Sequence, residues 1–152
     1  VRIVLFEPEI PPNTGSIARL CAATDTPLDL VGKLGFSLDD RYLKRAGLDY
    51  WPSVRLATWP DWGSFLEGVG PGRIVLSSAR QGTPHHEFSY EPGDRIVLGC
   101  ETKGLPGWFF ERHPEHHVRI PIWGKVRSIN IANAASVLLY EAYRQIGVLD
   151  GK

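Results

Sequence analysis

The sequence is poor in cysteine, has no surplus of either charge and contains no long apolar run. Only two cysteines, Cys21 and Cys100, occur among 152 residues. A disulfide-stapled secreted framework needs more than that. Both lie in apolar, element-like surroundings, so buried free thiols are expected rather than a bridge. Seventeen lysines and arginines balance seventeen aspartates and glutamates. With no net charge there is no molecule-wide field to steer a polyanion, and any nucleic-acid contact must come from a local patch. The opening apolar stretch, Val1–Phe6, is too short for a membrane span or a signal peptide. A soluble cytoplasmic protein with no membrane partner is the expectation.

Other signatures are missing too. There is no internal repeat, low-complexity tract or linker, so residues 1–152 read as one domain. Neither a P-loop nor a Gly-x-Gly-x-x-Gly run is present, which counts against NTPase and dinucleotide oxidoreductase chemistry. His85-His86 and His113, His116 and His117 lack a cysteine or carboxylate complement at zinc spacing, so no metal is expected.

What is present is an alternation of strand and helix patterns. Hydrophobic residues make up 43% of the chain, enough for one core. Arg2–Phe6, Leu28–Val31, Ile74–Ser77, Arg95–Leu98 and His117–Ile122 read as strands, several of them continuous apolar runs of the kind covered on both faces. Asn13 or Thr14 is expected to cap a helix running to about Thr24, with Ile17, Leu20, Cys21 and Thr24 inward. Ser37-Leu-Asp-Asp40 resembles a capping box opening a helix through Ala46, which Gly47 ends. Trp59–Val69 reads as a short helix with Asp61 near its start. A long apolar helix is predicted over Ser128–Ile146, and a helix apolar on most faces is buried. The pattern is that of an α/β protein, a mostly parallel sheet flanked by helices on both faces.

In such sheets ligands bind beyond the carboxyl ends of strands, and three segments occupy that place. The first holds Asn13, Gly15 and Arg19. Arg19 lies opposite the inward face, and two readings stand open: a solvated surface cation, or an anion contact beside a helix N-terminus. The second is Leu98-Gly-Cys-Glu-Thr-Lys-Gly-Leu-Pro106, where Gly99 and Gly104 let backbone approach a flat ligand. Glu101 there can accept from ribose hydroxyls, an amine or a backbone N–H. The third is the turn Ile120-Pro-Ile-Trp-Gly-Lys-Val-Arg-Ser-Ile-Asn130 with Asn133 beyond. Amides on a buried helix need partners, at a cost of roughly 1–3 kcal/mol each, and Asn130 and Asn133, three apart on one face, are placed to hold something.

Taken together, Asn13-Thr-Gly-Ser-Ile-Ala-Arg19, Leu98-Gly-Cys-Glu-Thr-Lys-Gly-Leu105 and Ile120-Pro-Ile…Ser128-Ile-Asn130-Ile-Ala-Asn133 resemble, in order and spacing, the three motifs of the SPOUT RNA methyltransferases. Within that superfamily the chain is most similar to the small tRNA 2'-O-methyltransferases that modify the wobble cytidine or uridine, nucleotide 34 of the anticodon loop. Phe6–Gly15, Leu34–Arg41, Arg45–Tyr50 and Tyr140–Gln145 extend the likeness over essentially the whole chain. Cys100 stands where that family commonly has proline.

The resemblance implies a C-terminal trefoil knot, a homodimer, tRNA as partner, and S-adenosylmethionine as cofactor. It implies cofactor contacts at Leu76, Ser77, Gly99, Cys100, Glu101, Gly104, Ile120, Ile122, Ser128 and Asn133. It casts Arg19 beside the acceptor ribose, as electrostatic support rather than as a base, because a guanidinium stays protonated. Asn13, Glu101, Ser128 and Asn130 would position cofactor and substrate, and Asn133 would brace the turn. Arg41, Lys44 and Arg45 on the second helix, with Lys125 and Arg127 in the third motif, are the candidate RNA contacts; surface helices also carry such charges for solubility. Leu138, Leu139, Tyr140 and Tyr143 suit a core, a dimer face or both, and Trp123 could flank the cofactor or a flipped base. Methylation of another tRNA or rRNA site, or a non-catalytic RNA-binding module, is the alternative.

Overall fold

The computed structural model describes residues 1–47 and 50–152, with Ala46 and Gly47 by backbone only. Leu48 and Asp49, part of the family-like stretch Arg45–Tyr50, lie outside the described residues. The chain runs β1 (Arg2–Phe6), α1 (Pro11–Ala23), β2 (Leu28–Val31), α2 (Arg41–Gly47), a 3-10 turn (Trp51–Ser53), β3 (Leu56–Trp59), α3 (Trp62–Gly68), β4 (Ile74–Ser77), β5 (Thr83–Pro84), β6 (Arg95–Leu98), α4 (Gly107–Arg112), β7 (His117–Arg119) and α5 (Ile131–Gln145). The strands form one sheet in the order β3-β2-β1-β6-β4-β7-β5. Every pairing in it is parallel.

Alternation along the central strands divides the core in two. Ile3, Leu5, Leu28, Leu30, Val75, Ile96 and Leu98 point to the face covered by α1 and α5, where they meet Ile17, Cys21, Ala135, Leu138 and Leu139. Val4, Phe6, Val31, Leu76 and Val97 point to the other face, under α3 and α4 with Trp62, Phe65 and Phe109. The period of two in a strand requires this split. Asp29 is fully buried on β2. A bidentate Arg2 holds it at 2.8 and 3.1 Å and the Trp59 indole donates at 2.9 Å, which offsets the cost of burying that charge.

Several boundaries depart from the sequence reading. Helix α1 is capped by neither Asn13 nor Thr14. It begins at Pro11-Pro12, in the first turn where a missing N–H is harmless, and the Ile10 carbonyl accepts from Asn13 and Thr14 N–H. Thr14, Gly15 and Ala18 are buried with Ile17 and Cys21, whereas Leu20 and Thr24 are half-buried. Asp40, not Ser37, caps α2, its Oδ1 accepting from Tyr42 and Leu43 N–H. Strand β3 replaces the start of the expected Trp59 helix, and Asp61 caps the shorter α3 through Ser64 N–H at 2.7 Å. Strand β7 ends at Arg119 rather than Ile122, because Pro121 has no N–H to give the ladder. Helix α5 starts at Ile131 rather than Ser128, and its outer side is open: Val137 and Tyr140 are 39% and 46% exposed. Cys21 and Cys100 are both free, Cys21 buried and Cys100 only half-buried.

Periodicity alone gives no notice of one crossing. Ser77 on β4 and Thr83 on β5 are both in register with Val118, on opposite sides of β7. The five intervening residues therefore straddle β7. Ser78 N–H donates to the Val118 carbonyl at 3.0 Å and the Gly82 carbonyl accepts from the Arg119 guanidinium at 3.1 Å. Gly82 sits at φ +111°, and a Cβ there would lie 2.7 Å from the His117 carbonyl.

Candidate active site

The carboxyl ends of β4, β6 and β7 open into a cavity of about 730 Å³, a size that suits a small-molecule ligand. Three loops and the head of α5 line it. From β6 come Leu98 to Leu105, from beyond β7 come Ile120, Ile122 and Arg127 to Asn130, and from β4 comes the straddling loop with Ser77 and Arg80. Asn13 of α1 reaches the same wall.

Each loop takes its form from local chemistry. Gly99 and Gly104 close the β6 loop on itself, with a bridge between Cys100 and Gly104 and the Gly104 N–H donating to the Cys100 carbonyl at 2.9 Å. A Cβ on Gly99 would overlap the Gly104 carbonyl carbon, so only glycine fits there. Gly104 takes the left-handed conformation at φ +67°. The result is a flat rim of main-chain donors and acceptors.

This rim is latched to the loop before α1. The Glu101 carboxylate accepts from Glu9 N–H at 2.8 Å and from Ile10 N–H at 3.3 Å. In return the Glu9 carboxylate accepts from the Thr102 hydroxyl at 2.7 Å and from Thr102 N–H at 3.2 Å. The Thr102 hydroxyl, followed by the Cys100 thiol, holds the Glu9 carboxyl below its ordinary range. Glu101 thus supplies acceptors for the Glu9 and Ile10 N–H groups, which lie just ahead of α1 and outside its own hydrogen-bond ladder.

Asn130 ties the third loop to the first. Its Oδ1 accepts from Ala132 N–H at 2.8 Å and Asn133 N–H at 3.2 Å and so caps α5. With the oxygen thus committed, its amide nitrogen donates to Asn13 Oδ1 at 3.0 Å. The Asn13 amide nitrogen, a donor, is left to the cavity.

Of the residues singled out from the sequence, Asn13, Ser77, Gly99, Cys100, Glu101, Gly104, Ile120, Ile122, Ser128 and Asn130 line this one cavity, as does Arg127. Leu76 and Asn133 do not; Leu76 is fully buried in β4, under the opposite face. Arg19 is also outside the lining, exposed on α1 with its guanidinium 4.6 Å above the Tyr50 ring. Arg41, Lys44 and Arg45 are exposed on α2, which packs against α1. Lys125 and Trp123 are exposed in the last loop, Trp123 at 92%. His113 and His117 have structural roles: His113 Nε2 accepts from the Trp62 indole at 3.0 Å, and a His117 ring nitrogen lies 2.6 Å from the His113 carbonyl. Among the described residues no three histidines, cysteines or carboxylates group as metal ligands. No helix among them is long and apolar enough to cross a membrane.

The sequence reading missed Ser78, Arg80 and Phe110 in the lining, and named Thr102 and Lys103 only as part of the second loop. Ser78 and Arg80 immediately follow β4, and the rule that ligands sit beyond strand carboxyl ends applies to them as it did to the loops after β1, β6 and β7.

Comparison with known proteins agrees with this geometry. Residues 1–140 match the model of the SpoU rRNA Methylase family. A tRNA (cytidine(34)-2'-O)-methyltransferase of Saccharophagus degradans is 49% identical over 99% of this chain and 98% of its own. A solved structure concerned with 2-OH methylation of C/U34 on tRNA superposes with a TM-score of 0.89, at 44% identity over 95% of this chain and 94% of its own. The SpoU methyltransferase AviRb of Streptomyces viridochromogenes, in complex with the cofactor AdoMet, superposes with a TM-score of 0.85 at 27% identity, over 95% of this chain and 60% of its own. By sequence, by fold and by the three loops that meet at the cavity, the chain belongs to the SpoU methylase family.

Proposed function

We propose that the protein transfers a methyl group from S-adenosylmethionine to the ribose 2'-hydroxyl of the wobble nucleotide, cytidine or uridine 34, in the tRNA anticodon loop. One observation carries most of this: the Asn13, Glu101 and Asn130 loops, far apart in sequence, are hydrogen-bonded into a single wall of one cavity. The near-full-length likeness to wobble 2'-O-methyltransferases supports the substrate.

The cavity suits the cofactor. Leu98, Ile120, Ile122 and Phe110 offer apolar surface to a purine, and the folded backbone from Gly99 to Leu105 offers donors and acceptors to its edge. Bound S-adenosylmethionine would supply a sulfonium methyl that a hydroxyl oxygen can attack without a metal. What the protein must add is alignment, which can lower such a barrier by roughly 7–11 kcal/mol. Asn13 and Ser128 stand on the wall to orient the two partners. Glu101, committed to two N–H groups, acts by holding the loop in shape rather than as a base. Gly104, Cys100 and Ser77 complete the cofactor rim, and Asn133 works through its N–H at the head of α5.

Arg19 remains charged at any working pH and can steady the developing alkoxide or its neighbouring phosphate. Because it lies on the solvent side of α1, this role requires the RNA to run across α1. That path also meets Arg41, Lys44 and Arg45 on α2, and Lys125 lies in the loop before α5. The apolar outer side of α5, with Val137 and Tyr140 exposed, suits pairing with a second copy of the chain. The straddle of β7 by residues 78–82 supports a trefoil knot, and the whole of residues 1–152 would act as one such domain in the cytoplasm.

The test is incubation with unmodified tRNA and labelled S-adenosylmethionine, followed by mapping of the product by mass spectrometry. A 2'-O-methyl at position 34 is expected. Methyl at another nucleotide would move the substrate, and no transfer at all would leave an RNA-binding module.

A further inference from the structure

The charge on the cavity wall does not match a cofactor alone. Arg80, Lys103 and Arg127 line it, against the single carboxylate of Glu101. That carboxylate is already held by two backbone N–H groups. Neither Arg80 nor Arg127 forms an ion pair or donates a side-chain hydrogen bond among the described residues. S-adenosylmethionine carries a sulfonium, an ammonium and a carboxylate, so it is itself a cation. A wall with surplus positive charge repels such a ligand unless an anion shares the space.

Arg80 is also presented by built structure. It sits in the loop that straddles β7, where the Ser78 hydroxyl oxygen accepts from Arg80 N–H at 3.2 Å and Gln81 N–H at 3.3 Å. Ser78 on one side and Gly82 on the other are fixed to β7 through the Val118 carbonyl and the Arg119 guanidinium. Arg127 approaches from the loop between β7 and α5. Arg80 and Arg127, carried by two different loops, therefore both line one cavity, and guanidinium planes are suited to bidentate contact with phosphate oxygens.

We propose that Arg80 and Arg127 form a clamp for a backbone phosphate of the substrate RNA next to the acceptor ribose, inside the cofactor cavity. The proposal rests on the methyltransferase reading and adds a positioning pair to it. It gives the surplus charge a purpose: the phosphate neutralises the wall, brings the ribose to the methyl donor, and makes the cavity more hospitable to a cation. RNA and S-adenosylmethionine then favour each other's binding.

Arg80→Gln, Arg127→Gln and Arg80→Lys are the variants. Each is measured for binding of an unmodified anticodon stem-loop RNA across a salt series, and for binding of S-adenosylmethionine by calorimetry. Both residues are exposed, so thermal melts should match the wild type. The expected result is RNA binding weaker by roughly tenfold in each glutamine variant. The slope of log affinity against log salt should become shallower by about 0.7, one single-strand phosphate contact. Arg80→Lys should keep the slope, and cofactor affinity should hold or rise. If Arg80→Gln instead weakens S-adenosylmethionine tenfold and leaves RNA untouched, the anion is the cofactor's own carboxylate and the clamp is wrong. If neither affinity moves, Arg80 is a solvated surface charge and the clamp is equally wrong. A wild type that binds the stem-loop through Arg80 yet transfers no methyl would sink the methyltransferase reading and spare the clamp.

Discussion

The Asn130 amide nitrogen donates to Asn13 Oδ1 at 3.0 Å, joining residues 117 positions apart. The same Asn130 caps α5 with its oxygen. One side chain thus starts a helix and fixes the first loop to the third.

Asn130→Ala should cost about 1–2 kcal/mol of stability, the usual loss for removing a polar N-cap. Asn130→Asp keeps the capping oxygen and should lose much less, yet it removes the donor facing Asn13. Urea unfolding separates the two, and calorimetry with S-adenosylmethionine should show a defect in both variants. Equal stability of Asn130→Ala and the wild type would mean that the cap carries no weight.

Gly99 and Gly82, two of the crowded glycines, should respond differently from uncrowded ones. Gly99→Ala must pry open the β6 loop and should weaken cofactor binding more than roughly tenfold, because the rim is built from that backbone. Gly107→Ala meets no atom within 4 Å and should be silent. Gly82→Ala adds a Cβ at a positive φ and against the His117 carbonyl, so at least about 1–3 kcal/mol should be lost. Gly70→Ala, also at positive φ but in open space, should cost only about 1–2 kcal/mol.

Burial lowers the pKa of His85 and of His113 from the ordinary 6.5. The unfolded chain therefore binds protons more readily than the folded one as pH drops through about 6.5, and stability must fall with pH there. Thermal melts between pH 7.5 and 5 should show this decline. His113→Gln retains an acceptor for the Trp62 indole but cannot titrate, and should flatten the profile. An unchanged slope would remove His113 from the account.

The two thiols should differ in reactivity. Burial pushes the Cys21 thiol up to about 12, so it should resist alkylation at pH 8 in the folded protein. Cys100 is half-buried on the cavity wall and should react. One equivalent of thiol is expected in the native state and two after unfolding. S-adenosylmethionine should slow the native reaction, and a lack of protection would argue that it binds elsewhere.

Much of this was legible before any coordinates. The strands β1, β4 and β6 are largely β-branched apolar runs, and β2 is apolar apart from Asp29. The three-loop site was visible because its segments lie where parallel strands end and together resemble the three SPOUT motifs. The rest was hidden for physical reasons. The two-residue β5 and the six-residue α4 are too short to show a period. Edge strand β3 is half-exposed and alternates too briefly. The open side of α5 is apolar in sequence and so looked like core. The N-terminus of α1 was misplaced because its polar partner, Glu101, is supplied from 91 residues away, and no local pattern records that.

The crossed Glu9 and Glu101 carboxylates have a consequence for engineering. Each acid serves the main chain of the other's loop, so neither segment is an independent module. Grafting one of them from a relative would strand the host's remaining acid opposite a foreign backbone. Transplants in this scaffold should therefore travel as pairs, with residues 7–13 and 98–106 exchanged together.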